Sequence, residues 1–393
     1  MNGSRWQQLA ALVLATMSSQ ALLVVLAPTM VAIASDLGSS VSTVGQARSV
    51  TAGVSIAASL LLTARAGSFP VPHMVQAGAV LAVVACAAVA VSTTTAFFLA
   101  AHVLVGLAFA LLLSGGFAGI AAFDAENRAW ATGYVAASNA MAWILVNPVV
   151  AALTEWVSWR AAEAVPALVA LTALVESRHA LPVPAARVAG SPWLPLTLPS
   201  ARRWVVSEVV AFGSWTAMLT FIGAFFIESL GVRESTTGVL LAGGAASYVA
   251  TSTRSGWWAR LGSRRRLVMV AALVMAVLLP LMALASTVAA ATLLFCLIGA
   301  AAGVRTPASA GLALAQLPER APAMMAARTA ATQLGYAFGA LVGGAVIAGA
   351  GFQALWPVLS VGMVLAAWLV RRVDDDSERA RQRHPHRRAT DHF

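Results

Sequence analysis

Apolar residues run along this chain in twelve long blocks, 8–34, 44–63, 72–91, 96–122, 130–152, 159–177, 205–229, 236–257, 267–286, 288–313, 324–348 and 353–370, separated by short polar or charged gaps. About 20 such residues suffice to cross about 30 Å of hydrocarbon as a helix. Within lipid every backbone N–H and C=O must be paired inside the protein, which leaves helices or a closed barrel. Blocks such as VVACAAVAV (83–91) and AALVMAVLLPLMAL (271–284) lack the period-two alternation of a barrel strand. The pattern predicts an all-α membrane protein of twelve transmembrane helices. The first block is too long for the apolar core of a signal peptide and has no cleavage pattern before the next span, so it is expected to stay as a helix.

Charge then orients the helices. The chain is 60% hydrophobic and 10% charged, against about 25% charged residues in soluble proteins. All its basic residues are arginine, and the net charge is +10. They sit in short gaps and in the tail rather than on a folded basic face, so no nucleic-acid partner is expected. Arg5, Arg65, Arg128, Arg320 and the arginines of 178–203 and 254–266 fall in every second gap, whereas the opposite gaps hold only Arg48, Arg160 and Arg233. The positive-inside rule places both termini in the cytoplasm, in a multi-pass protein of a bacterial cytoplasmic (inner) membrane.

The gap 178–204 carries Pro182, Pro184, Pro192, Pro195 and Pro199, a density that blocks a helix and favours an extended linker. It divides the chain into a six-helix bundle over 1–177 and a second over 205–371. The charged stretch 372–393 reads as a disordered cytoplasmic tail. Its His384 and His386 are expected to be solvated rather than metal-bound, and Cys86 and Cys296, inside apolar blocks, to be reduced thiols. No cofactor or metal is implied.

The halves echo each other. Ala64-Arg65-Ala66-Gly67 after the second helix is matched by Ala259-Arg260-Leu261-Gly262 after the eighth, and Glu126-Asn127-Arg128 after the fourth by Pro318-Glu319-Arg320 after the tenth. Parallel six-plus-six repeats about a midplane site are a transporter architecture. With the stretch 26–46, these features resemble the major facilitator superfamily, and within it the bacterial drug or sugar efflux branch of proton antiporters. The 2–3 loop resembles the family signature with Arg65 and Gly67 kept, Ala64 in place of its Asp and Ser68 in place of its final Arg. The 8–9 loop keeps Arg260 and Gly262. The helix-four R-x-x-x-G pattern reads His102 and Gly106, and the helix-five antiporter signature survives only as Pro148 among small residues. The resemblance implies two pseudo-symmetric six-helix bundles and a cavity lined by helices one, four, seven and ten. It also implies a conformational latch of Arg65, Gly67, Asp124, Arg260 and Gly262, with Asp124 reaching Arg65 and half the latch missing at Ala64.

Ionisable and polar groups inside hydrocarbon are costly and mark candidate sites. Arg305, about 15 Å deep at 1.5 Å per residue, reads either as an anion ligand or as a structural Arg on neighbouring carbonyls. His102 titrates near neutrality and reads either as the carrier of a coupling proton or as a neutral inter-helix bond; Asp36 is a second coupling candidate. Gln20 and Trp215 are candidate substrate contacts, or helix staples. Asn139, Trp143 and Asn147 share one helix face and read either as cavity wall or as packing. The first helix has no mid-depth carboxylate, so an anionic or neutral polar substrate is expected. The expected function is proton-coupled efflux of a small organic compound by a monomer in the lipid bilayer. Export of hydrophobic or cationic drugs and uptake of an organic anion remain alternatives. No metalloprotease, P-loop or paired-aspartate motif supports an enzyme.

Overall fold

The computed structural model describes residues 3–64, 69–182 and 194–375, which are helical almost throughout and form no strand. Their helices group into twelve spans. The first is Gly3–Val24 continued by Leu26–Asp36, followed by Val41–Ala64, Val71–Ala90, Thr95–Ala118 with the turn Gly119–Ala122, Ala125–Trp156, and Trp159–Ala162 with Ala164–Glu176. The seventh is Pro199–Ala224 with a π turn over Phe225–Ser229, then come Glu234–Ser252, Arg264–Leu284 and Val288–Gln316. The last two are the arms of Ala321–Val370, where the chain turns at Gly351, φ 74°. By length and apolar content alone, eight of the described helices could cross a membrane, counting Ala323–Val370 once.

Each predicted block coincides with a span, with ends shifted by less than two turns. Local chemistry sets several ends. Thr94, Ser158 and Thr287 accept a hydrogen bond from the backbone N–H three residues on, capping the fourth, sixth and tenth spans. The seventh span begins at Pro199, inside the segment read as linker, because proline's fixed φ suits a first helical position. Residues 183–193 of that segment and the tail from 376 lie outside the described residues. The first span breaks at Val25: Pro28 has no N–H to give, and its ring crowds the carbonyl of Val24, four residues earlier.

In the first bundle the third span packs on the fourth and sixth, and the first packs on the fourth, fifth and sixth. In the second bundle the seventh packs on the eleventh, and the tenth on the eighth and ninth. The bundles meet along two seams, second span against eleventh and fifth against eighth. Exchanging the halves turns one seam into the other, which is the two-fold symmetry the repeats predict. The Leu26–Asp36 half of the first span adds a contact with the seventh. There a Cβ on Gly223 would stand 2.2 Å from the Ala27 carbonyl oxygen, so only glycine allows this approach.

Candidate functional site

With twelve spans both ends lie on one face. The seams join the bundles from the opposite, far face down to mid-depth. On the far face Glu155 of the fifth span accepts from the Arg233 guanidinium and from the Ser235 backbone N–H at 2.9 Å, at the start of the eighth span. A shallow cleft of about 470 Å³, lined in part by Ser35, Ser42, Glu228 and Ile347, opens on the same face. Along the other seam Gln46 donates to the Ala340 carbonyl at 3.3 Å, Ser49 to the Ala337 carbonyl at 3.0 Å, and Ser55 to Gln333 Oε1 at 3.2 Å.

Below these contacts the structure brings together two of the predicted residues. Trp143 Nε1 of the fifth span donates to Gln20 Oε1 of the first at 3.3 Å. Beside them stands Arg48, whose Cζ lies 6.0 Å from the centroid of the Trp143 ring. Its side chain reaches a narrow void bordered by Leu23, Thr51, Phe109, Gln333 and Tyr336. Arg48 is 2% exposed, and none of its three guanidinium nitrogens has a hydrogen-bond partner among the described residues. The expectation that Arg48 belongs to an outer gap is corrected: it lies two turns inside Val41–Ala64, on a face turned to the eleventh span. His102, on the neighbouring fourth span, is buried with Nδ1 2.8 Å from the Phe98 carbonyl, and its own carbonyl accepts from Thr51.

Asn147 is fully buried and donates to the Trp143 carbonyl at 2.7 Å, while its Oδ1 and that of Asn139 are enclosed without a partner among the described residues. Asn147 thus sits on the fifth–eighth seam, where Gly238 packs on its carbonyl. Trp215, half-buried on the seventh span, stacks on Tyr248 at 6.2 Å.

Arg305 is also buried, but its charge is balanced. It donates to Glu208 Oε2 at 2.6 Å, Ser309 donates to the same oxygen at 2.8 Å, and Trp204 donates to Ser309 at 3.1 Å. Arg328 of the eleventh span stands close to the same carboxylate. Asp36 pairs with Arg160 at 2.7 Å on the half-exposed far edge of the first bundle. Asp124 pairs with Arg5 at 2.5 Å; its expected partner Arg65, with Gly67, lies outside the described residues. Arg260 and Gly262 sit at the end of the short helix Ser255–Leu261, and Gly262 is extended.

Sequence reasoning misplaced Arg48 and passed over three further groups. Arg48 and Arg328 lie within predicted blocks, and a single arginine in an apolar run is itself a signal. Glu163, buried beside the Cys86 thiol, falls in the sixth block. The Glu155–Arg233 bridge joins residues far apart in the chain, for which the sequence holds no signal.

A family model for the Major Facilitator Superfamily matches residues 10–231 and again 204–391. The chain belongs to that superfamily, which makes it a multi-pass membrane transporter and not an enzyme. No curated protein matches it. Among solved structures it is similar to a D-xylose-proton symporter, with TM-score 0.78 and 14% identity over 94% of this chain and 98% of that one. It is also similar to a bacterial homologue of the human lysosomal transporter Spinster, in an inward-facing and occupied conformation (TM-score 0.76, 14% identity, 95% and 98% covered). A third is the human organic anion transporter MFSD10 (TM-score 0.69, 16% identity, 94% and 100% covered). At these identities the likeness is one of fold.

Proposed function

We propose that this chain exports a small organic compound, anionic or neutral and polar, by alternating access coupled to a proton, as a monomer in a bacterial cytoplasmic membrane with both termini in the cytoplasm. The observation that carries the substrate reading is a charge balance. Within the spans, the Glu208 carboxylate faces two arginines, Arg305 and Arg328, and Arg48 has no hydrogen-bond or ion-pair partner among the described residues. A cationic substrate would enter a site already positive, and a neutral or negative one would not. Two seams related by the internal two-fold supply the mechanical part, since rocking about mid-depth closes one face while opening the other.

The test is reconstitution into proteoliposomes with a pH-sensitive dye inside. Organic anions, neutral sugars and organic cations are each offered with an imposed proton gradient. The reading expects proton flux driven by an anion or a neutral solute. Flux with cations alone would replace it with a multidrug exporter. Flux of proton and anion in the same direction would replace it with an uptake symporter.

A further inference from the structure

Resting on the transport reading above, we propose that Arg48 is the substrate's counter-ion, and that the substrate is a small organic anion: an oxyanion head, such as a carboxylate, on a flat apolar body. A buried and unpartnered cation is among the costliest arrangements a protein can hold, and in a membrane it marks function. Other arginines of this chain show the alternative. Arg305 has Glu208, Arg160 has Asp36 and Arg233 has Glu155, while among the described residues neither a hydrogen bond nor an ion pair reaches the Arg48 guanidinium.

Its surroundings describe the ligand. The guanidinium offers five N–H donors in a planar fork that matches a carboxylate edge. Tyr336, Phe109 and Leu23 supply apolar walls and Gln333 a neutral hydrogen-bonding group, with Trp143 and the Gln20 it bonds beside them. The space between them is closed even to water in this structure, so the ligand enters as the second–eleventh seam parts. The titratable groups close to Arg48 are His102 and Tyr336, and neither is an anion near neutral pH. Arg48 also faces the second–eleventh seam, so a ligand bound there bridges the two bundles, as alternating access requires.

Two arms test this on the full-length protein purified in detergent. The first needs no ligand: a charge kept for a ligand destabilises the empty protein, so Arg48→Met, of similar length and apolar, is expected to melt a few degrees higher than wild type. A lower melting temperature would make Arg48 a structural residue and overturn the proposal. The second arm compares benzoate, benzamide and benzylammonium, which share a body and differ in charge, by thermal shift and by flux in proteoliposomes. Benzoate is expected to stabilise wild type, with at least a tenfold weaker apparent affinity in Arg48→Met. Equal benzoate stabilisation of both proteins, or stabilisation of wild type by benzamide or benzylammonium but not by benzoate, overturns it. Wild-type flux of benzamide without benzoate binding removes the anion and leaves transport standing, whereas failure of all three to bind or move overturns the anion proposal and leaves the transport reading to the solute panel above.

Discussion

Arg305 and Glu208 meet at 2.6 Å in the closed core of the second bundle, both almost wholly buried. The pair joins the tenth span to the seventh, and Ser309 and Trp204 extend it. Breaking a buried pair by removing one partner leaves the other charge uncompensated and costs about 3–5 kcal/mol, whereas removing both costs far less. Glu208→Gln, which leaves Arg305 and Arg328 without their carboxylate, is therefore expected to lower the melting temperature most, Arg305→Met less because Arg328 still faces Glu208, and adding Arg305→Met to Glu208→Gln to recover part of the loss. A double-mutant cycle on thermal unfolding measures the coupling.

The bridge from Glu155 to Arg233 and Ser235 ties the fifth span to the eighth on the far face. Glu155→Gln keeps the shape and removes the charge. An ion pair near water contributes little, so the balance between far-face-closed and far-face-open forms should shift only modestly toward open. The readout is maleimide labelling of Ala27→Cys, in a background carrying Cys86→Ser and Cys296→Ser. Labelling is expected to be faster in Glu155→Gln.

Two glycines predict different failures. A Cβ on Gly339 would stand 2.3 Å from the Gly213 carbonyl oxygen, inside the second bundle. Gly339→Ala is expected to destabilise the fold by about 1–3 kcal/mol, the cost of overpacking, seen as a lower melting temperature. Gly223 makes its tight contact across the bundles, on Ala27. Gly223→Ala should leave stability nearly unchanged and hold the far face apart, seen as lost transport with rapid labelling of far-face cysteines.

His102 has one ring nitrogen held by the Phe98 carbonyl, which fixes Nδ1 as the protonated atom and leaves Nε2 to take up a further proton. If His102 carries the coupling proton, His102→Gln is expected to abolish accumulation driven by a pH gradient. Downhill exchange of labelled for unlabelled substrate should survive. Loss of both would make the residue structural.

The spans were legible in the sequence because the physics that fixes them is local: an apolar run long enough for the bilayer has one secondary structure open to it. The break at Val25 was legible in principle, through Pro28. Gln20 and Trp143 were singled out separately, but their contact joins residues more than a hundred positions apart, and no periodicity reports that. Arg305 reads as an anion ligand or as a carbonyl-bound structural residue because nothing along its own helix points to Glu208, which lies on another span. Charge balance depends on which helix faces which. For the same reason Arg48, near the edge of its block, passed as part of a gap when it is a buried cation.

The eleventh span touches the seventh and the second spans by a different balance of the same means, since Gly344 also packs on Ser42 of the second and Thr216 of the seventh also donates to the Gly335 carbonyl. Against the seventh it uses mainly glycine backbone, with Gly335 and Gly339 lying on Gly213. Against the second it uses mainly hydrogen bonds such as that from Ser49 to the Ala337 carbonyl. Separating the first contact forfeits close packing that nothing replaces. Separating the second hands each donor and carbonyl to incoming water, at a net cost of only about 0.5–1.5 kcal/mol per bond. The helix is thus welded on one side and merely buttoned on the other, and the molecule has a built-in fault line along which it can part repeatedly without losing its fold.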